Sequence, residues 1–339
     1  MCETEDSTSN VIQRPPKIYL DTNHLINIAN VRKRREPQPG RSDEEYRRID
    51  EYIKSYCGLI FNPYAALDWV ERNATEESAS EIAAVVDSAK LKYHLEADYL
   101  VYTREVLDQC CKQDHKLKVP ALPPVFQNIS DNSTFLSSLC TLATQVPDYL
   151  EESQLERFQQ NGHIPVEIPI VSVREWVTET LNWKEKNPDT YQERIDGFRA
   201  SLSEDIARKD EYFSDRLRYQ RDWIKRLLKI DRILRAYNPG IDVDGVLEKI
   251  EIEDCPAIDL YWTVREKRMK SGIPPNDNDV DDYMYIPAIP YADIVLTERQ
   301  LRGFVLQTDK SLESKVFSRV SDALIALENE GFAWRNCSI

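Results

Sequence analysis

Lys17-Ile-Tyr-Leu-Asp-Thr-Asn23 is a short β-rich run that stops in an aspartate and an asparagine. It reads as a buried strand delivering polar side chains at its carboxyl end, where open α/β sheets place their ligands. A charged Asp21 there is costly unless it is paired or bound to a cation. Before the run, residues 1–16 lack periodicity and end in Pro15-Pro16, so a flexible leader is expected.

Working outward, Leu25, Ile26 and Ile28 predict a short helix through Val31, leading into an exposed basic loop, Arg32-Lys-Arg-Arg35. Ser42 as N-cap and Glu45 as its capping-box partner open a predicted helix over 42–55. Gly58-Leu-Ile-Phe61 reads as a second buried strand, and Asn62-Pro63 starts a predicted helix over 64–72. From about Ser78 to Gly272 the pattern is long amphipathic helices broken by proline-rich connections such as Pro120-Ala-Leu-Pro-Pro124, with residues 164–173 the best strand candidate.

Past Gly272 comes an acidic loop over 274–282, then an apolar stretch and a strand, Ile294-Val-Leu-Thr297. A helix opened by Thr308 and Asp309 and a last one over 321–329 complete the chain. The fold class is therefore α/β. The expected division is a leader (1–16), the first part of an α/β domain (17–77), a mainly helical insertion (78–272) and the second part of the domain (273–339).

The 339 residues, 41% apolar and 30% charged with nine glycines, suit a helix-rich protein able to bury a sizeable core. A formal charge of −15 repels polyanions and argues against tight, non-specific nucleic-acid binding, so any nuclease must find local compensation in bound cations or basic stripes. Seven scattered cysteines form no CxxC pair and no zinc pattern with a nearby histidine. No stretch approaches a membrane span and the N-terminal segment lacks an apolar signal region, so the expectation is a cytoplasmic protein with no membrane partner.

Carboxylates gather in three places: Asp21 at the end of the first strand, Asp68 on the short helix predicted over 64–72, and a group formed by Asp277, Asp279, Asp281, Asp282, Asp293 and Glu298. Asp68 falls one helical turn after Tyr64 and shares its face. Clustered carboxylates repel one another unless pKa values rise or hard divalent cations bind, and oxygen-only ligands select magnesium or manganese over zinc. Such ions could activate a water for attack on a phosphodiester without a Ser, Cys or His nucleophile.

These same residues carry a family resemblance. Leu20-Asp-Thr-Asn23 resembles the opening strand motif of PIN domains, with Asp21 as the first acidic residue. Asn62-Pro63 followed by Asp68 is similar to the Ser-Pro-then-Glu segment on the next helix of such proteins, with Asp in place of the commoner Glu and Glu71 as a fallback. Asn278-Asp-Val-Asp-Asp282 and Ile289-Pro-Tyr-Ala-Asp-Ile-Val-Leu-Thr-Glu-Arg299 resemble the C-terminal pattern, giving Asp282 as third acidic residue and Asp293 or Glu298 as fourth. Where family members often carry His three residues after that third Asp, this chain has Tyr285. The likeness spans roughly residues 17–75 and 275–330, and implies a PIN-like three-layer α/β/α domain with a parallel sheet, a large helical insertion and metal-dependent RNA cleavage.

Each feature also has an ordinary reading. Asp21 could cap the following helix, Asp68 could be a solvated charge, and residues 277–282 could be a solvated loop, which leaves Asp282 as the principal ligand there and Asp279 as a lesser one. Asp293 ranks above Glu298, because it immediately precedes the strand whereas Glu298 has Arg299 and Arg302 as neighbours for a surface ion pair. Arg218, Arg221, Lys225, Lys229 and Arg232 recur at helical steps as a basic stripe, with Leu217, Ile224, Leu227 and Leu234 expected to face the core. As a phosphate-tracking surface the stripe would use Tyr219 or Trp223 for base stacking, and as an ordinary helix face it would pair with Asp215, Asp222 and Asp231.

The expected function is a divalent-metal-dependent endoribonuclease. Asp21, Asp68, Asp282 and Asp293 form its catalytic set, Asp279 and Glu298 are further metal ligands, and Asn23, Thr297 and the basic stripe bind substrate. The rivals are a catalytically degraded PIN-like module that binds RNA or protein, and a metal-dependent phosphohydrolase, which would want an Asp where Asn23 stands. A regulatory protein partner and a homodimer are both compatible with the resemblance.

Overall fold

The computed structural model describes residues 15–55, 57–62, 76–95, 98–122, 124–128, 172–186, 190–272, 274–275, 283 and 285–329. The first strand, β1 (Lys17–Leu20), is followed by helices α1 (Thr22–Arg32) and α2 (Asp43–Ser55), then β2 (Gly58–Phe61). Next come α3 (Glu76–Asp87), β3 (Leu91–Leu95), α4 (Asp98–Gln113) and β4 (Phe126–Asn128). Helices α5 (Val173–Lys186), α6 (Thr190–Ala207), α7 (Lys209–Ser214), α8 (Arg216–Leu227), α9 (Ile230–Tyr237), α10 (Val243–Leu247) and α11 (Pro256–Ser271) precede β5 (Ile294–Leu296), α12 (Arg299–Thr308), β6 (Val316–Phe317) and α13 (Val320–Asn329).

The six strands form one sheet in the order β4-β3-β2-β1-β5-β6. Five run parallel, and β4 joins antiparallel at one edge. Strands β1, β2 and β5 are nearly continuous apolar runs because a parallel sheet is covered on both faces. Crossovers leave β1 in opposite directions, toward β3 on one side and toward β6 on the other. Right-handed connections then place their helices on opposite faces. The helix contacts fall into the corresponding two groups, α1 with α2 and α3 and α2 with α13 in one, and α11 with α4, α6 and α12 in the other.

Local signals act where they were expected in α2, whose Glu45 N–H donates to Ser42 Oγ at 3.4 Å. Lys33, Arg34 and Arg35 of the basic loop are exposed, as expected, and Arg32 is partly buried. Arg32 ends α1 and forks onto Asp50, with Nη1 also donating to the Ala84 carbonyl at 3.0 Å, and Arg35 pairs with Glu81 at 2.8 Å.

The expected start of the helical insertion at residue 78 is corrected, because β3 pairs with β2 over four registers and extends the sheet. Of the strand expected over 164–173, Val173 begins α5 and only the start of that range, 164–171, lies outside the described residues. The helix expected from Thr308 and Asp309 is also corrected. Thr308 closes α12, and Asp309 caps a short 3₁₀ turn by accepting the Ser311 N–H at 2.8 Å.

The single basic helix expected around 215–237 is two helices, α8 and α9, broken at Lys229, whose φ of +50° is left-handed. The break turns the apolar face. Ile224 and Leu234 are fully buried, whereas Leu217 and Leu227 are 43% and 60% exposed, against expectation. Inward-facing Tyr212, Tyr219 and Trp223 instead pack with Tyr261 and Trp262 of α11 in an aromatic cluster continuous with the sheet's core. Glu105 of α4 docks α11 by accepting the N–H groups of Ala257 (2.8 Å) and Ile258 (3.1 Å), two first-turn donors with no partner inside the helix. Among the described residues no helix is long and apolar enough to cross a membrane.

Candidate functional site

The reversal of strand order at β1 opens a crevice between the carboxyl ends of β1 and β5, the usual ligand position in open α/β sheets. Ile18 is level with Ile294 and Leu20 with Leu296, so Asp21 is level with Thr297, and Asp21 N–H donates to the Leu296 carbonyl at 2.9 Å. On the other side Tyr19 is level with Ile60, which brings Asn62 alongside Asp21. All three polar residues are buried at this edge. No apolar sheet core requires that row.

Asp21 occupies the N-cap position of α1 with extended backbone but makes no side-chain capping hydrogen bond, although the backbone N–H groups of Asn23, Thr22 and Glu298 lie near enough to act on its carboxyl. Those donors favour the charged form. They are outweighed, because the residue is only 6% exposed and Glu298 adds a second negative charge. Burial first, and Glu298 second, push its pKa from 3.8 to about 7. No lysine or arginine pairs with either carboxylate among the described residues. Asn23 Nδ2 donates to Glu298 Oε1, and Asn23 Oδ1 accepts from Gln38 Nε2 at 3.5 Å, so one asparagine joins the two carboxylate-bearing segments.

A second tier holds that arrangement. His24 is buried, with Nδ1 2.9 Å from the Tyr46 hydroxyl and a ring bond to the Thr297 backbone. Burial, with the Arg41 charge beside it, lowers its pKa to about 3, so at neutral pH it is an uncharged strut. Fully buried Asn27 donates to the Asn23 carbonyl at 2.7 Å. Tyr285, where the family resemblance would have a histidine, places its hydroxyl 3.0 Å from Thr22 Oγ1.

The expected residues therefore separate. Asp21, Asn23, Thr297 and Glu298 come together, although Thr297 is 1% exposed and acts through its backbone rather than on a substrate. Asp293 does not join them, which corrects its ranking above Glu298. Its carboxyl accepts the Lys17 N–H at 2.8 Å at the amino end of β1, some four residues or about 13 Å of strand from Asp21. The reason is the parallel register, which sets a residue preceding β5 and a residue following β1 at opposite ends. Glu298 bonds Asn23, and the alternative of a surface ion pair with Arg299 or Arg302 is not formed among the described residues. Asp68, Glu71, Asp279 and Asp282 lie outside the described residues, and within the described set no group of three His, Cys, Asp or Glu side chains could hold a metal ion.

The basic stripe lies elsewhere. Arg218, Arg221 and Lys225 line a groove of about 420 Å³ with Asp215, Asp222, Asp244 and Glu248. Lys225 pairs with Asp244 at 2.7 Å and Arg221 donates to the Glu248 carbonyl at 2.6 Å, while Lys229 sits at the left-handed break between the two helices. With acids matching the bases, this groove is no strong attractor of phosphate. His24 and Asn27 escaped the sequence reading, which named Asn62 and Tyr285 only as motif positions and gave them no place in the site. The available signal was three polar residues at α1's start, on the face that should have been apolar.

Comparison of the chain with family models, with curated proteins and with solved structures returned no match.

Proposed function

We propose that this protein is a divalent-metal-dependent endoribonuclease of the PIN-like kind its sequence resembles, working at the carboxyl end of β1. The observation that carries this reading is the buried carboxylate of Asp21 at the end of β1, with the exposed Glu298 near enough to add a second negative charge and no described cationic side chain paired with either. A buried carboxylate beside a second negative charge is unfavourable without compensation, and a hard divalent cation relieves both the repulsion and the desolvation of Asp21. Asp21 and Glu298 would hold magnesium or manganese, with Asp282, Asp279 and Asp68 as the further ligands suggested by the resemblance. Bound there, the ion supplies activation of a water and stabilisation of charge on phosphate.

The chain's own contributions are positional. Asn23 orients Glu298 toward Asp21, His24 and Tyr46 tie α1 to α2 and to the end of β5, and Tyr285 fixes Thr22. His24, held uncharged, is no proton donor at neutral pH.

A second reading, a non-catalytic RNA- or protein-binding module, is favoured by the Asn23–Glu298 hydrogen bond, which partly satisfies one carboxylate internally. A phosphohydrolase gains nothing from an Asn23 that bonds Glu298 and offers no acid.

The deciding experiment incubates purified protein with a mixed single-stranded and structured RNA pool in manganese, magnesium or EDTA, beside Asp21→Asn, Glu298→Gln and Asp293→Asn. Metal-dependent cleavage lost in the first two and kept in Asp293→Asn is expected. Cleavage that survives Asp21→Asn overturns the assignment, and RNA binding without cleavage in any metal favours the module.

A further inference from the structure

Arg41 lies beside the crevice on the loop between α1 and α2. That loop is fastened to the site itself. Buried Asn27 accepts the Gln38 N–H at 2.7 Å, the Gln38 side chain reaches Asn23 at 3.5 Å, and the Arg41 N–H closes a turn on the Gln38 carbonyl at 3.1 Å. Gly40, at φ +77°, permits the turn that brings Arg41 round.

The guanidinium then spans to the far side of the crevice, where Nη1 approaches the Ser318 carbonyl just past β6 at 3.4 Å. Its charge acts on both His24 and Tyr46, and Asp21 acts on the same Tyr46 hydroxyl, so Arg41 and Asp21 flank one side chain. Of the neighbouring arginines, Arg32 is committed to Asp50, Arg35 to Glu81, Arg47 to Asp43 and Arg48 to Glu328, while Arg34 is exposed at a left-handed position with no ion pair among the described residues and no tie to the crevice. Arg41 has no carboxylate partner among the described residues and remains partly exposed. In a chain of charge −15, a positioned, unneutralised guanidinium beside an acidic crevice is the local compensation that a polyanionic ligand requires.

We propose that Arg41 binds a backbone phosphate of a single-stranded RNA lying across the Asp21–Glu298 crevice, its planar fork holding the strand beside the carboxylates. This rests on the endoribonuclease reading for the identity of the ligand, and assigns the phosphate contact to the α1–α2 loop instead of the α8 groove.

The test measures binding of a labelled single-stranded RNA 15-mer by fluorescence anisotropy in magnesium across a salt series. The Asp21→Asn background is used so that binding is read without cleavage, with a gel run on the same samples. Arg41→Gln should weaken binding about tenfold and flatten the slope of log K against log salt by about 0.7. Arg41→Lys should keep the slope while losing part of the affinity. Arg47→Gln, which removes an exposed charge already paired with Asp43, should leave both unchanged.

An unchanged slope in Arg41→Gln, an equal flattening in Arg47→Gln, or no RNA binding in the background protein overturns the proposal. Flattening specific to Arg41→Gln supports it, even if the cleavage assay finds no nuclease, so the two readings fail separately.

Discussion

In metal-free solution Asp21→Asn should stabilise the protein at pH 8, and the gain should disappear in acid. The folded pKa of Asp21, raised by burial and by Glu298 to about 7 from 3.8, means that the folded state holds the proton more tightly than the unfolded chain. Below about pH 4 the group is protonated in both states and costs nothing. As pH rises from 4 to 7 the unfolded state gains by ionising while the folded state does not, and the folded chain loses about 1.4 kcal/mol per pH unit. Above pH 7 the cost levels off at about 4 kcal/mol. The residue is almost fully buried, so solvent screening reduces this little.

Asparagine keeps the shape and one hydrogen-bond acceptor, but does not titrate. Urea unfolding of both proteins in EDTA at pH 4, 6 and 8 measures the effect. The difference in unfolding free energy should be under 1 kcal/mol at pH 4 and reach about 4 kcal/mol in favour of the variant at pH 8. A difference that does not change with pH, or a variant less stable than the native chain at pH 8, would refute the picture of a buried, uncompensated carboxylate. A stabilising substitution at a buried polar residue is itself the mark of a site kept for function rather than stability.

Two further outcomes follow from the same geometry. Magnesium or manganese at a hundred times its dissociation constant should stabilise the native chain by about 2.7 kcal/mol and leave Asp21→Asn unchanged in thermal melts, and equal shifts in both would place the ion elsewhere. Buried Arg265 donates to Asp205 and Tyr261, and to Ser201 Oγ at 2.9 Å, so Arg265→Met should cost about 3–5 kcal/mol by stranding Asp205, with Arg265→Met/Asp205→Leu recovering most of it. Urea midpoints check this, and a single-variant loss below about 1 kcal/mol would mean that Asp205 finds water instead.

How far the sequence alone reached varies with how local each cause is. Strands β1, β2 and β5 were legible because strands buried on both faces are apolar runs closed by polar residues. Strand β3 was not. Leu91-Lys-Tyr-His-Leu95 mixes polar and apolar residues, and its first three positions are only half-buried beside the short edge strand. Likewise nothing within residues 215–237 announces that Lys229 turns left-handed and leaves Leu217 and Leu227 in solvent, since the burial of α8 is dictated by Trp262 and Tyr261 of a helix some forty residues on.

The sequence by itself determined that Asp21 would stand at the end of a buried strand, with Asn23 closing the same run. That information is local, carried in seven consecutive residues. Which distant carboxylate would meet Asp21 was decided only by the tertiary structure. Asp293 and Glu298 are five residues apart and flank the same strand, yet parallel pairing of β5 with β1 sends one to Lys17 and the other to Asn23. Strand direction and register are properties of the assembled sheet, set by crossover connections and by burial on both faces, and no stretch of chain around residue 293 contains them.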